Sequence, residues 1–332
     1  MNHKKTFSQI GLILFLGTLI IGVVQSLFIE IGKNIPFIHE NGDLSFIISM
    51  LPMYIIAYPL IFLMFKALPV TMEGEKKKMK PSHILISFSI AYAISFFCNI
   101  VGNIITSIIG ILKGGTVENV LANITGNIHP LSILFIIVIC APIMEELLFR
   151  KVLISRTSQY GEGVSLVLSG LVFGLFHGNL NQFAYAFLLG IFFGFLYVKT
   201  KNIIYPIIIH MLINFLGSFL SSILNNKTRY MEYTVKLQEL QADPALNTES
   251  AMADLMAEYG TGVAIFNAYS FALFIFVIIG AILFFKNRNK FTLQAGEITI
   301  EKGKRFTTLF INLGMILYCA IWIITIITQL FA

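Results

Sequence analysis

Long apolar runs alternate with short polar segments along almost the whole chain. About 20 apolar residues are needed to cross a bilayer as a helix. The pattern therefore predicts an all-α fold, a polytopic transmembrane helical bundle with about nine spans, with eight as the alternative. The predicted spans are 7–29, 44–68, 83–112, 131–153, 162–178, 181–198, 202–224, 262–285 and 308–331.

The composition agrees with this pattern, because 57% of the 332 residues are apolar, only 12% are charged and the mean hydropathy is +0.83. Soluble domains carry roughly 25% charged residues. These values exclude an ordinary soluble enzyme, a disordered chain and a nucleic-acid-binding domain, so we expect membrane lipid and no nucleic acid as a partner. Cys98, Cys140 and Cys319 lie inside apolar runs and are expected to be small buried hydrophobic residues.

Basic residues are concentrated in every second loop. Loops 73–82, 150–161, 199–201 and 286–306 carry most of the lysines and arginines, whereas loop 225–261 holds six acids against three bases. Because cytoplasmic loops are richer in Lys and Arg, we predict a multi-pass protein of the cell membrane with its N-terminus inside and its C-terminus outside. The lysine- and isoleucine-rich composition favours a bacterial plasma membrane.

Ionisable side chains inside a span cost a few kcal/mol each, so they mark functional sites by default. The polar residues of interest lie in the fourth, fifth and seventh spans. The fourth span holds Glu145, Glu146 and Arg150, the fifth holds His177 four residues after the apolar Phe173, and the seventh holds His210 and Asn214. Residues four positions apart lie on the same helix face, so the side chains of Glu146 and Arg150 are expected to meet. Glu145 points about 100° away from Glu146, which predicts separate roles for the two glutamates.

Each of these features alone has a plain structural explanation. A buried glutamate–arginine pair most often joins helices, and a single histidine in a span most often forms a hydrogen bond in the core. The whole set, however, falls within residues 145–214, whereas the other spans carry almost no ionisable groups. This concentration favours one functional site over several separate packing contacts.

The set can support hydrolysis of a peptide bond by an activated water. Glu145 and His177 can hold and deprotonate the water, while His210 and Asn214 can donate hydrogen bonds to the oxyanion of the tetrahedral intermediate. Glu145, His177 and His210 would also suit Zn²⁺, as two imidazoles and a carboxylate with an open position. The spacing H-E-x-x-H of common zinc proteases is absent, so zinc is a possible cofactor and none is certain.

The ordered motifs Glu-Glu-x-x-x-Arg, Phe-x-x-x-His and His-x-x-x-Asn resemble those of the CPBP (Abi) family, which comprises type II CaaX-prenyl endopeptidases and bacteriocin-processing or immunity proteins. The resemblance covers about residues 131–220. It implies an intramembrane endopeptidase that acts on a membrane-associated peptide or protein. The catalytic groups that it implies are Glu145, Glu146, His177, His210 and Asn214, with Arg150 and Phe173 in support.

The spans and motifs divide the chain into four regions. Residues 1–130 hold the first three spans, and residues 131–224 form the catalytic transmembrane core with the three motifs. Residues 225–261 form an extracytoplasmic polar loop, and residues 262–332 hold the last two spans with a basic cytoplasmic loop.

Two other functions are compatible with the same residues. In a non-catalytic membrane scaffold or bacteriocin-immunity protein, the polar set would only join helices. An ion or proton carrier is the weakest alternative, because the polar groups do not line a full crossing path. The enzyme hypothesis, in contrast, predicts a water-accessible cavity that opens to the cytoplasm.

Straight spans would not bring the candidate residues to one depth. At 1.5 Å per residue, Glu145 would lie roughly 9 Å from the cytoplasmic side and His177 roughly 22 Å. We therefore expect either that the fourth helix extends into residues 150–158 or that the fifth helix ends in mid-membrane. A turn at that depth is allowed where protein or a water-filled cavity covers it.

Overall fold

The computed structural model describes residues 3–243, 246 and 248–331, apart from the side chain of Thr125. This part of the chain is mostly helical and contains no strand, which confirms the all-α prediction. Within it, eight helices are long and apolar enough to cross a membrane, and a shorter helix, α5, lies between two of them. In chain order the helices are α1 (His3–Lys33), α2 (Gly42–Phe65), α3 (Pro81–Leu112), α4 (Pro130–Tyr160), α5 (Glu162–Phe176), α6 (Leu180–Thr200), α7 (Ile204–Thr228), α8 (Glu249–Lys290) and α9 (Leu313–Phe331).

Two predicted regions differ in detail from these helices. The predicted span 162–178 corresponds to α5, whose 15 residues are only about 22 Å long. The polar loop 225–261 contains the helix Tyr230–Ala242, and α8 begins within it at Glu249. Residues 244, 245 and 247 of that loop, like residues 1, 2 and 332 of the terminal regions, lie outside the described residues.

The predicted basic loops meet at one end of the bundle, which we call the basic end. The backbone N–H of Lys77 donates to the carbonyl of Thr200 (2.7 Å), which joins the first and third of these loops. The N–H of Gln294, in the fourth loop, donates to the carboxylate of Glu162 (2.8 Å), which follows the second loop directly. The positive-inside rule predicts that this end faces the cytoplasm.

The two alternatives expected for the fourth and fifth helices, a longer fourth helix and a fifth helix that ends in mid-membrane, occur together. α4 continues to Tyr160, ten residues beyond Arg150, and α5 ends inside the bundle. At Gly178, in the turn after α5 (φ +65°), an added Cβ would lie 3.0 Å from the ring of Trp322. Since Trp322 is the tenth of the 19 residues of α9, His177 lies at about the middle of the bundle's depth.

Polar side chains satisfy the turn that this arrangement buries. The side chain of Asn179 caps α6 by accepting a hydrogen bond from the N–H of Gln182 (2.9 Å). Asn181 donates to the side chains of Asn103 (2.9 Å) and Thr106 (3.0 Å) on α3. A turn away from the membrane surface requires such partners, because no bulk water is available to its polar groups.

Glycines hold α5 and α6 in close contact. A Cβ added at Gly190 would lie 2.8 Å from the Cα of Gly170, and one added at Gly174 would lie 3.1 Å from the Cβ of Phe187. The spacing of four between Gly170 and Gly174 gives α5 a small-residue face, as is common between membrane helices. This contact fixes the position of His177 at the end of α5.

We predict that Gly190→Leu lowers the thermal stability of the protein. Its side chain would push α6 away from α5, and overpacking of this kind costs about 1–3 kcal/mol. Thermal unfolding in detergent micelles would measure the loss. Gly22→Leu is the matched control, because a Cβ at Gly22 meets nothing within 4 Å. An unchanged melting temperature for Gly190→Leu would contradict the close packing of these helices.

Candidate active site

The predicted polar residues meet around one cavity of about 180 Å³ between α2, α4, α5, α6 and α7. The predicted residues that line it are Glu145, Phe173, His177, His210 and Asn214. Glu146 and Arg150 lie behind this lining and are fully buried. The sequence spacing of the three motifs thus corresponds to one cluster in space.

An irregularity in α4 positions Asn214. The segment Leu134–Cys140 has π-helical geometry, in which the N–H of Ala141 bonds the carbonyl five residues earlier. In that register the carbonyl of Ile137 would need an N–H from Pro142, which has none. The side-chain amide of Asn214 donates to this free carbonyl instead (2.9 Å). α4 and α7 are therefore joined directly beside the cavity.

Glu146 and Arg150 form the ion pair that their spacing predicts. The Nε of Arg150 lies 3.1 Å from the Oε2 of Glu146, and both side chains have no exposed surface. The guanidinium has no aligned hydrogen-bond acceptor among the described residues. Its central carbon lies 4.3 Å from the ring centre of Phe173 and 5.5 Å from that of Phe193. Cation–π contacts with two rings thus stabilise the buried charge.

His210 lies between the two glutamates. Its Nδ1 is 3.0 Å from the Oε1 of Glu146, and its Nε2 is 3.8 Å from the Oε2 of Glu145. An ionised carboxylate only accepts hydrogen bonds, so Nδ1 donates to Glu146. Glu146 therefore orients the imidazole from the buried side, while Glu145 faces the cavity beside the other ring nitrogen. This division agrees with the separate roles predicted for the two glutamates.

His177 caps the end of α5, and this contact determines which ring nitrogen is free. Its Nδ1 lies 2.9 Å from the carbonyl oxygen of Phe173. Carbonyls in the last turn of a helix lack partners within the helix, and a carbonyl can only accept, so Nδ1 is the donor. In the neutral ring, Nε2 then carries no proton and is available to accept a hydrogen bond within the cavity.

Several lining residues are absent from the sequence-based prediction. Gln182 and Tyr185 line the cavity, and the amide of Gln182 donates to the hydroxyl of Tyr185 (2.7 Å). The amide of Asn179 in turn donates to the Oε1 of Gln182 (2.6 Å). The spacing Asn-x-x-Gln resembles a helix-capping signal, which indicates a helix start at this point but not a site.

The cavity extends away from the basic end of the bundle. Its lining includes Phe46 and Met50 in the first half of α2, which begins at the opposite end. Leu121 and Ile124 also line it, from the short helix Val120–Asn127 that precedes α4. The open space therefore leads from the candidate residues towards the end of the bundle that lacks the basic loops.

In the other direction, large side chains block the space. On the following turns of α4, Phe149, Arg150 and Leu153 are all fully buried. The lining of the cavity thus extends away from the end that the positive-inside rule places in the cytoplasm, whereas we predicted an opening at that end. The positions of charged loops predict sidedness, but the open direction of a cavity depends on where bulky side chains pack.

The three residues considered as zinc ligands, Glu145, His177 and His210, line the same cavity. Among the described residues, no three His, Cys, Asp or Glu side chains are placed to hold a metal ion together. We therefore derive no catalytic step through a metal.

Comparisons with known proteins point to one family. The sequence model of a family described as type II CAAX prenyl endopeptidase Rce1-like matches residues 127–216. The chain is 30% identical over 205 residues to the membrane-embedded CAAX protease MroQ of Staphylococcus aureus (strain USA300), covering 57% of this chain and 81% of that protein. It is 35% identical over 80 residues to the "Putative membrane peptidase YdiL" of Bacillus subtilis (strain 168), covering 23% and 32%. No solved structure matches the chain significantly.

We predict that Arg150→Met strongly destabilises the protein and that adding Glu146→Gln restores part of the loss. The single variant leaves the buried cluster with one negative charge that no cation balances, which costs about 3–5 kcal/mol, whereas removing both charges of the pair is far less costly. Thermal unfolding of the single and double variants would measure both effects. A double variant less stable than Arg150→Met alone would show that the ion pair is not the stabilising element.

Proposed function

Because the chain belongs to the CAAX protease family of membrane peptidases, we propose that it is an intramembrane endopeptidase that hydrolyses a peptide bond in a membrane-associated protein or peptide precursor. The observation that carries the proposal is the common cavity of Glu145, His177, His210 and Asn214. It combines a carboxylate that can take a proton with groups that can donate to a developing oxyanion.

In the proposed reaction, Glu145 and the Nε2 of His177 hold a water through its two protons. Glu145 removes one proton as the water oxygen attacks the carbonyl carbon of the substrate, and the carbonyl electron pair moves to its oxygen. The tetrahedral intermediate then collapses and the C–N bond breaks. Glu145 delivers its proton to the leaving nitrogen, so the products are a carboxylic acid and an amine.

The oxyanion would be held by His210 and Asn214. We assign His210 a protonated imidazole, whose Nδ1–H donates to Glu146 and whose Nε2–H faces the cavity. The amide of Asn214 uses one N–H for the carbonyl of Ile137 and has a second for the oxyanion. Donors fixed in advance in this way stabilise the transition state without reorganisation.

The balance of buried charge supports this assignment. With His210 protonated, two cations, His210 and Arg150, balance the carboxylates of Glu145 and Glu146. When Glu145 takes the proton from water, the cluster gains one net positive charge beside the oxyanion that forms. A cluster that is neutral at rest is also the least costly arrangement in a membrane interior.

The alternative is a non-catalytic membrane scaffold or bacteriocin-immunity protein. It has some support in the contact between Asn214 and Ile137, because there a member of the polar set joins two helices. In that function Glu145 would have no essential chemical role, so a change at this position distinguishes the two hypotheses.

We predict that Glu145→Gln abolishes peptide hydrolysis while the protein folds normally. The amide has nearly the same shape but cannot take the proton of the water, and loss of a general base lowers turnover by about 10²–10⁴-fold. The assay uses protein in lipid nanodiscs with a panel of fluorophore-labelled lipopeptides, and mass spectrometry identifies the products. Glu162→Gln is the matched control, because Glu162 pairs with Lys199 at the basic end. Full turnover or full cellular function with Glu145→Gln would contradict the proposal.

We also predict that a metal chelator leaves hydrolysis unchanged. The proposed water is held by Glu145 and His177 alone, so removal of divalent metal should not alter turnover in the same assay. A parallel sample dialysed against Zn²⁺ controls for partial loading. Loss of turnover with chelator and its return with Zn²⁺ would replace this mechanism with one in which zinc activates the water.

A further inference from the structure

A second cavity of about 250 Å³ adjoins the candidate active site, and we call it the side cavity. It lies between α3 and α7, and Tyr185, Ile213 and Asn214 border both spaces. Ser218 on α7 also borders both spaces, and the other walls of the side cavity include Ser95 and Asn99 on α3. The side cavity therefore begins where the proposed oxyanion site ends.

Polar groups of the side cavity lack partners within the protein. The hydroxyls of Ser95 and Ser218 form no hydrogen bond with any described residue. The side-chain oxygen of Asn99 accepts from Asn103 (2.8 Å), but its own amide N–H groups have no acceptor in the described part of the chain. Three polar side chains, besides that of Asn214, around one space that is otherwise bordered by apolar and aromatic residues favour a polar occupant.

An extended peptide matches these groups. Its backbone presents an N–H and a carbonyl at every residue, and both must be satisfied away from water. Serine hydroxyls both donate and accept, and the amide of Asn99 donates. Within a regular helix the backbone N–H and carbonyl groups of the peptide already bond each other. Only an unwound segment can therefore form hydrogen bonds with these side chains.

The side cavity also has room for a backbone at Gly217. A Cβ built on this residue meets nothing within 4 Å, although Gly217 lies within α7 and lines the cavity. Gly217 is exposed and borders the side cavity, so open space lies directly at its backbone. A segment that lies here can approach the α7 backbone and continue directly to Asn214.

We propose that the side cavity binds the substrate backbone, extended, on one side of the bond that is cleaved. The substrate class is a membrane-anchored polypeptide whose cleaved segment lies in the half of the bundle away from the basic end. The buried residues Phe149, Arg150 and Leu153 close the route from the basic end. The proposal rests on the proposed endopeptidase function, and it adds where the substrate lies and which groups hold it.

Gly217→Leu tests the space. A Cβ at Gly217 meets nothing within 4 Å, so we expect the leucine to enter the side cavity and the protein to fold normally. The KM for the lipopeptide cleaved fastest by the unmodified protein should then rise at least tenfold. Gly22→Leu is the matched control, since it also adds a side chain at an unobstructed helical glycine. An unchanged KM for Gly217→Leu would overturn the proposal.

The double variant Ser95→Ala with Ser218→Ala tests the hydrogen bonds. Two lost bonds of ordinary strength should raise KM about fivefold to thirtyfold, with kcat little changed. Neither hydroxyl bonds the protein, so the melting temperature should not fall. A fall in melting temperature with KM unchanged would mean that the hydroxyls serve the fold, and the proposal would be wrong.

The result for Glu145→Gln separates this proposal from the function on which it rests. If Glu145→Gln is inactive but both side-cavity variants cleave with unchanged KM, the peptidase function stands and the side cavity has another use. If Glu145→Gln retains full turnover, the function itself fails, and the side cavity has no substrate to bind.

Discussion

Glu146 is a carboxylate with no exposed surface in the middle of a membrane bundle, and the arrangement of the site depends on how it is neutralised. An unpaired charge there would cost several kcal/mol. Glu146 contacts Arg150 on its own helix and His210 on α7. The need to neutralise this one carboxylate therefore holds α4 and α7 together. The same contact directs the other nitrogen of His210 towards Glu145. A residue that does not line the cavity thus sets the geometry of those that do.

Irregular helix geometry provides a second set of contacts between helices. Membrane helices gain little from hydrophobic association with each other, so specific polar contacts and close packing carry more weight. In three places a carbonyl within a π-helical segment accepts a hydrogen bond from another helix. The contacts are Asn214 to Ile137 (2.9 Å), Ser169 to Phe149 (2.7 Å) and Tyr269 to Leu216 (2.6 Å). Each of these three π segments therefore supplies a backbone acceptor to a neighbouring helix.

Sequence spacing predicts what is local and misses what depends on packing. The pair Glu146–Arg150 follows from the i,i+4 geometry of any helix. The other spans carry almost no charge, so the ionisable residues of these few spans can be recognised as one candidate set. The π segments have no periodic signature, so the partner of Asn214 is not predictable. The open direction of the cavity depends on bulky residues such as Phe149, and these look the same in a sequence whether they block a path or face lipid. Ser95 escapes notice because a serine in a helix usually bonds its own backbone.

The adjacent glutamates show why the packed side of α4 and the side that faces the cavity can lie so close together. A helix turns by about 100° between successive residues, so Glu146 faces the packed side of α4 and Glu145 faces the open side. The packed side needs the aromatic cover of Phe173 and Phe193 over Arg150, and that cover also fills the path to the basic end. An entrance on that side would expose the ion pair and weaken it. The direction in which the cavity extends therefore agrees with how the charge pair is stabilised. The short α5 ends with His177, which lines the same cavity as Glu145 and whose Nε2 is free.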